Sequence, residues 1–364
     1  MRHYEAIVLG AGGVGSAALW HLAQRGIRAV ALDRFPPPHS YGSSHGQSRI
    51  IRQAYFEHPE YVPLVLEAYR LWDELSQHLD QPLYHQQGVL QIGPADGEVV
   101  AGVIQAAEQH NLSIDRLSPQ EIETRWPTLR VPEDAIGVFE SQAGYLLVEQ
   151  CVDAHLHAAL GAGAEVHSPV EVFSWQPGPP VSVQTSEGHY TADRLIITSG
   201  AWSGQLLEGL SLELTVLRKS LFWLTPDAGT LARLDGLPCF LFDLPDGVFY
   251  GMPPIDERGV KIAEHSGGQP VDDPLLVSRK VDPEDLQRVR DFTKQQFAAH
   301  SVCLYTMSED GHFVVDRHPD HEHIVFAAGL SGHGFKFSSV LGQAMADIAM
   351  TGQTNLPVGF LKCR

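Results

Sequence analysis

The chain is poor in everything that would serve a membrane, a metal cluster or a disulfide framework. No stretch approaches the roughly 20 apolar residues of a membrane span. The apolar start, Ala6-Ile7-Val8-Leu9, is too short for the core of a secretion signal and runs straight into glycines. Four cysteines (Cys151, Cys239, Cys303, Cys363) stand far apart, with no C-x-x-C pair, so a zinc knuckle or redox dithiol of ordinary spacing is excluded. Scattered thiols of this kind are expected to be reduced, which places the protein in the cytoplasm. Basic residues are scarce. Twenty-five Lys and Arg face 44 Asp and Glu, a net charge of −19, which works against binding nucleic acid or an anionic membrane. A small-molecule partner and a monomeric state are expected. There is no internal repeat and no low-complexity linker.

What is present is ordinary globular material, 43% hydrophobic and 19% charged. At 364 residues the chain exceeds the length at which one core stops growing, so two domains are expected. Residues 4–9 read as a buried parallel strand, 16–25 as a helix stopped by Gly26, and 28–33 as a second strand, together a βαβ unit. Residues 60–75 carry apolar side chains at helical spacing. Strands are predicted at 88–93, 135–139, 165–167, 181–185, 194–198, 217–225 and 324–328, and within 248–264 behind an Asp246-Gly247 turn. Helices are predicted at 97–111, 146–160 and 338–350. The domains therefore interleave, with 1–85, 147–214 and 316–364 forming an α/β nucleotide-binding domain. Residues 86–146 and 215–315 form a strand-rich substrate domain.

Gly10-Ala11-Gly12-Gly13-Val14-Gly15 fits G-x-G-x-x-G between a strand and a helix. The first glycine permits the tight turn, the second admits a pyrophosphate close to the backbone, and the third lets helix pack on strand. The helix N-terminus offers free N–H groups to phosphate. Asp33 ends the second strand, placed to accept a ribose hydroxyl. Arg34 follows it, but Asp33 would repel a 2′-phosphate, so NADP is not expected. The fingerprint alone leaves NAD and FAD open.

Ser43-Ser44-His45-Gly46-Gln47-Ser48-Arg49-Ile50-Ile51-Arg52-Gln53-Ala54-Tyr55 resembles the S-x-H-G-x-x-R-x-I-R-x-A-Y segment of the monomeric sarcosine oxidase and N-methyltryptophan oxidase family, which are D-amino-acid-oxidase-like flavoenzymes. Tyr61-Val62-Pro63-Leu64, Arg125-Trp126-Pro127, Val302-Cys303-Leu304-Tyr305-Thr306 and Gly329-Leu330-Ser331-Gly332-His333-Gly334-Phe335-Lys336-Phe337 continue the match in family order. The resemblance implies a Rossmann-like FAD domain joined to a mixed-sheet substrate domain, and an oxidase of N-methyl amino acids that uses oxygen. It makes Cys303 the residue bonded to the flavin. Arg52 and Lys336 become the pair that holds the substrate carboxylate, with Tyr55, Tyr250, Tyr305 and His265 lining the pocket. Arg49 and His45 would stand at the flavin ring and Lys261 at the site of oxygen activation. Ser43, Ser44, Val170, Gly200, Trp202, Gly332, His333, Gly334 and Phe335 would contact the cofactor.

Each assignment competes with a plainer one. Cys303 by spacing alone is a buried inert thiol, and Lys261 on a strand is by spacing an outward lysine. The family commonly has histidine at position 44, aspartate at 47 and glycine at 301, where this chain has Ser44, Gln47 and Ser301, so flavin-site polarity and the loop before Cys303 are open to change. His312, His318, His321 and His323 resemble metal ligands in number only. The run contains Pro319 and joins two strands, so a solvated turn is expected and no metal. An NAD-dependent dehydrogenase with the same fingerprint, or a flavin subunit that passes electrons to a partner, remain the alternatives.

Overall fold

The computed structural model describes residues 2–224, 234–294 and 299–363; Thr225, the end of one predicted strand, lies outside them. Strand Arg2–Leu9 is buried on both faces along its second half, as befits a parallel strand covered by helices on each side. It pairs in parallel with Ala29–Leu32 and with Gly188–Ile197. Glu165–His167 extends the sheet beyond Ala29–Leu32, and His321–Ala328 joins Gly188–Ile197, both in parallel. Antiparallel strands at the far edge complete an eight-stranded sheet. Helix Gly13–Gln24 packs between Val148–Gly161 and Ser338–Thr351, closing the larger core over this sheet.

A nine-stranded mixed sheet, built mainly from residues 89–140 and 215–307, stands beside it. Its hairpin Cys239–Leu244/Gly247–Met252 pairs Leu244 with Gly247, so Pro245 and Asp246 form the turn, one residue earlier than predicted. Sheet membership alternates along the chain, and on that basis we propose the two interleaved domains with the boundaries given above.

Ser48–Ile51, Gly144–Leu147 and Tyr84–Gln86 form a third, three-stranded sheet that sequence patterning did not reveal. Because Gly144–Leu147 is claimed by Ser48–Ile51, the helix predicted from 146 begins at Val148. This small sheet matters because it fixes the segment carrying Arg49. The strand Ala299–Met307 runs in unbroken register against Thr215–Leu224, with Ser301 opposite Leu221. The serine therefore sits in a regular strand two residues before Cys303. Among the described residues no helix is long and apolar enough to cross a membrane.

Two histidines buried among the helices make stability depend on acid. Burial, with Arg25 adding to it, lowers His21 to about 4, and burial lowers His155 to about 3. Both are neutral when folded, while the unfolded chain binds these protons near the ordinary histidine value of about 6.5. Their contribution to stability is therefore complete above about pH 6.5. It is lost progressively as pH falls, by about 1.4 kcal/mol per pH unit for each ring. Thermal melts of wild type and His155→Leu between pH 7 and 4 should show the variant losing stability less steeply, by about one proton. Parallel slopes would remove this account of His155.

Candidate active site

The glycine loop shapes one long cavity. Gly10 takes φ +91°, and a Cβ at Gly15 would sit 1.8 Å from the Gly10 carbonyl oxygen, so helix and strand approach as closely as backbone allows. Asp33 accepts from Ala11 N at 2.7 Å and from Phe35 N at 3.0 Å. Its carboxylate thus holds the glycine loop in shape while keeping lone pairs toward the cavity. Arg34 is drawn away to Glu171 at 2.8 Å, a partner that leaves it poorly placed for a 2′-phosphate. Ser44 Oγ accepts from Gly13 N at 3.0 Å, so the residue replacing the usual histidine works on the glycine loop itself. Gly10, Gly12, Gly13, Val14, Asp33, Arg34, Ser43, Ser44, Val170, Gly200, Trp202, Gly332, Gly334 and Phe335 all line this cavity. Trp202 Nε1, Thr306 Oγ1 and Ser338 Oγ, on the same walls, are buried without a partner among the described residues. Buried polar atoms are otherwise almost always satisfied; a long polar cofactor would supply what these lack. The residues present fit a dinucleotide.

At the inner end the chemistry concentrates. Arg49 donates to Cys303 Sγ at 3.2 Å and to the Ser43 carbonyl at 2.9 Å. Burial pushes the Cys303 thiol up, but Arg49, with His45 and Lys261 behind it, outweighs that and brings it down to about 6. A fully buried thiol is ordinarily inert. The guanidinium beside this one favours its thiolate. Cys239 shows the contrast, since burial alone dominates there and raises it beyond the ordinary range. Lys261 is not an outward lysine. It is fully buried, and its ammonium donates to the carbonyls of Gly46 at 2.6 Å and Ser48 at 2.7 Å. Glu149 holds the other side of the same loop, accepting from Gly46 N at 2.7 Å and Gln47 N at 3.1 Å. Gln47 lines neither cavity. It bridges Trp223 Nε1 and Asp256, a structural link in place of the usual aspartate.

A second cavity adjoins the first, sharing Arg49, Tyr305, Gly332 and Phe335 with it. Its walls include Arg52, Lys336, Tyr250 and His265, together with Ile50, Phe56, Leu241 and Met252. Arg52 and Lys336, distant in sequence, thus converge on one small pocket. Arg52 is engaged there by Glu57, its Nη2 donating to both carboxylate oxygens at 2.8 Å, while Nη1 donates to the Ala54 carbonyl at 3.2 Å. Burial works to raise Glu57, but Arg52, then His333 and Lys336, hold it down at about 2. Lys336 is lowered to about 7, chiefly by burial and then by Arg52. His265 is lowered to about 4 by burial, so its imidazole is neutral.

Several placements differ from expectation. Gly15, His45, Lys261 and Cys303 line neither cavity. Tyr55 does not reach the pocket wall; it is fully buried, stacked under Arg52 at 4.2 Å and accepting from Lys336 Nζ at 3.3 Å. His333 lines the second cavity and not the dinucleotide cavity. Its Nε2 faces the Gly311 carbonyl at 3.0 Å, which can only accept, so Nδ1 takes the Tyr55 hydroxyl proton at 2.5 Å. Sequence reasoning missed Glu57, Glu140 and Glu149. Glu140 is buried and accepts from Gln53 N at 2.7 Å and Ala54 N at 2.9 Å, which holds the backbone between Arg52 and Tyr55. The one available signal was Glu57 itself, an acid five residues beyond Arg52. His318 and His321 stack on each other and edge onto Trp175. Among the described residues no His, Cys, Asp and Glu group is arranged to hold a metal.

A family model described as FAD dependent oxidoreductase matches residues 5–348. Monomeric sarcosine oxidase of Bacillus sp. (strain B-0618) is 39% identical, covering 97% of this chain and 93% of that protein. N-methyl-L-tryptophan oxidase of Escherichia coli O139:H28 is 37% identical, covering 95% of each. In solved structures the same fold occurs in NikD, an unusual amino acid oxidase, with a TM-score of 0.88 at 23% identity over 100% of this chain and 98% of that one.

Proposed function

The chain belongs to the FAD-dependent oxidoreductase family, and on that premise we propose that it oxidatively demethylates a small N-methyl amino acid of the sarcosine or N-methyl-L-tryptophan type. With oxygen and water, the products would be the amino acid, formaldehyde and hydrogen peroxide. The observation that carries this is the convergence of Arg52 and Lys336 on a pocket that shares walls with the dinucleotide cavity. FAD, when bound, supplies the acceptor for a hydride from the methyl carbon and the route for electrons to oxygen.

The protein's part is orientation and electrostatics. Arg52, which Glu57 engages through Nη2 alone, takes the substrate carboxylate, and Lys336 adds a second cation. Tyr250, Tyr305 and neutral His265 bound the amine side, where no strong base is needed because the neutral amine is the reacting form. Arg49 stands where negative charge collects on reduction. Lys261 serves the oxygen half of the cycle, a need that an electron-transfer subunit would not have. We assign the protein to the cytoplasm as a monomer, without nucleic-acid or membrane partners. The family match is to an FAD enzyme, which sets aside the NAD-dependent dehydrogenase.

Incubation with sarcosine and with N-methyl-L-tryptophan should consume oxygen and release formaldehyde and peroxide in equal amounts. No turnover of either, or of other N-methyl amino acids, would overturn the assignment. We propose further that Cys303 carries the flavin covalently, its lowered thiol beside Arg49 being the supporting feature. Intact mass should exceed that of the polypeptide by one FAD. Cys303→Ser should release its flavin on acid precipitation, whereas a wild-type mass without the increment would refute the bond.

A further inference from the structure

Lys219 has no place in the scheme above, yet it is a buried lysine, 4% exposed, one strand away from the flavin site. It lies on Thr215–Leu224 directly opposite Cys303 in antiparallel register. Opposed residues share a face, so Lys219, Cys303 and Tyr305 project from the same side of the sheet. Its Nζ stands 5.3 Å from the centre of the Tyr305 ring. The ammonium donates to three consecutive carbonyls, His265 at 3.1 Å, Ser266 at 2.7 Å and Gly267 at 3.0 Å. A lysine ammonium has three N–H donors. All three are used, so none remains for substrate or water.

Those carbonyls belong to the turn that presents His265 to the second cavity. Among the described residues the imidazole has one long hydrogen bond, Nδ1 to the Tyr305 hydroxyl at 3.5 Å, and loose ring contacts with Tyr250 and Tyr305. Its place is therefore set by the backbone, held from one side by His265 N donating to Val248 O at 2.7 Å and from the other by Lys219. Behind the ammonium, Glu264 and Asp285 favour its charge and Arg288 opposes it.

We infer that Lys219 is a positioning residue for the amine pocket, fixing the 265–267 turn so that His265 stands at a set distance from the bound amine. This rests on the second cavity being the amine pocket. The test uses the flavin-loaded protein in four forms, namely wild type, Lys219→Met, His265→Ala and the double variant. Two quantities are measured: the rate of anaerobic flavin bleaching at saturating N-methyl amino acid, and the affinity for methoxyacetate. Methoxyacetate has the shape of sarcosine but cannot be oxidised as an amine, and its binding is followed by its perturbation of the visible spectrum.

Lys219→Met should slow bleaching roughly ten- to hundred-fold, the scale of a misplaced pocket group. Methoxyacetate affinity should change less than about threefold, because Arg52 and Lys336 are untouched. In the His265→Ala background the Lys219 substitution should have little further effect, since the two act through one group. Multiplicative losses in the double variant, or affinity falling together with rate, would overturn the inference while leaving the proposed reaction standing. A wild type that bleaches with no N-methyl amino acid would instead overturn the reaction, and this inference with it. Should Lys219→Met not fold, Lys219→Arg enters the same cycle, with an intermediate loss expected and independence from His265 again decisive against it.

Discussion

Lys261→Met should leave anaerobic reduction by substrate within a few-fold of wild type and slow the reaction of the reduced protein with oxygen by about 10²–10³. That is the scale lost when one preorganised group facing a developing charge is removed. The structure gives the physical basis. Lys261 is fully buried, and burial, then Arg49, push its ammonium well below the ordinary lysine value. We propose that negative charge arriving on oxygen near it would favour the protonated form again. Two of its N–H donors go to Gly46 and Ser48, and its Nζ lies 5.9 Å from the centre of the Trp223 ring. The same two bonds mean that methionine also loosens the loop bearing Arg49, leaving Glu149 and the pairing of Ser48–Ile51 with Gly144–Leu147 to hold it. Stopped-flow measurement of each half-reaction separates the two roles. Equal damage to both would make Lys261 an organiser of the loop and not the oxygen residue.

Arg52→Ala and Lys336→Ala should each weaken binding of substrate and of simple carboxylates by roughly one to two orders of magnitude. A charge-assisted contact to an anion is worth about 1.5–3 kcal/mol, and each 1.4 kcal/mol is about tenfold. The visible spectrum should stay near wild type. Arg52 carries a complication with a consequence of its own, since Glu57 accepts twice from its Nη2. Substrate would compete with this internal carboxylate for the guanidinium, so Glu57→Gln should bind carboxylates more tightly than wild type while Arg52→Ala binds them less. Lys336 adds a pH signature. It is charged below about 7 and neutral above, so carboxylate affinity should fall as pH rises through that value. The fall should be absent in Lys336→Met. Methoxyacetate titrations from pH 6 to 9 test both. Unchanged affinity in Arg52→Ala and Lys336→Ala would show that the pocket is wrongly assigned, and the substrate class with it.

The residues that the sequence brought forward were those with a local signature. The glycine loop announces itself because a strand, a tight turn and a helix N-terminus are contiguous in the chain, and Asp33 stands at a distance set by one βαβ unit. Cys303 and Lys336 were legible through the motifs around them. By contrast, the pairing of Ser48–Ile51 with Gly144–Leu147 has no periodic signal, because four-residue strands are too short to show one. The helix predicted from 146 was displaced for the same reason, its first residues being taken by a strand from far upstream.

The sequence by itself determined the cofactor fold and the identity of the cations and thiol that the reaction would need, because backbone turns and side-chain chemistry are local properties. Tertiary structure alone decided their state. It placed Arg49 against Cys303, which converts a thiol that burial would silence into one lowered to about 6. It turned Lys261 inward onto two carbonyls, set Glu57 against Arg52, and hung the His265 turn on Lys219. Each of these is an interaction between residues distant in the chain. Its strength depends on separation and on exclusion of water, and neither is defined until the chain has folded.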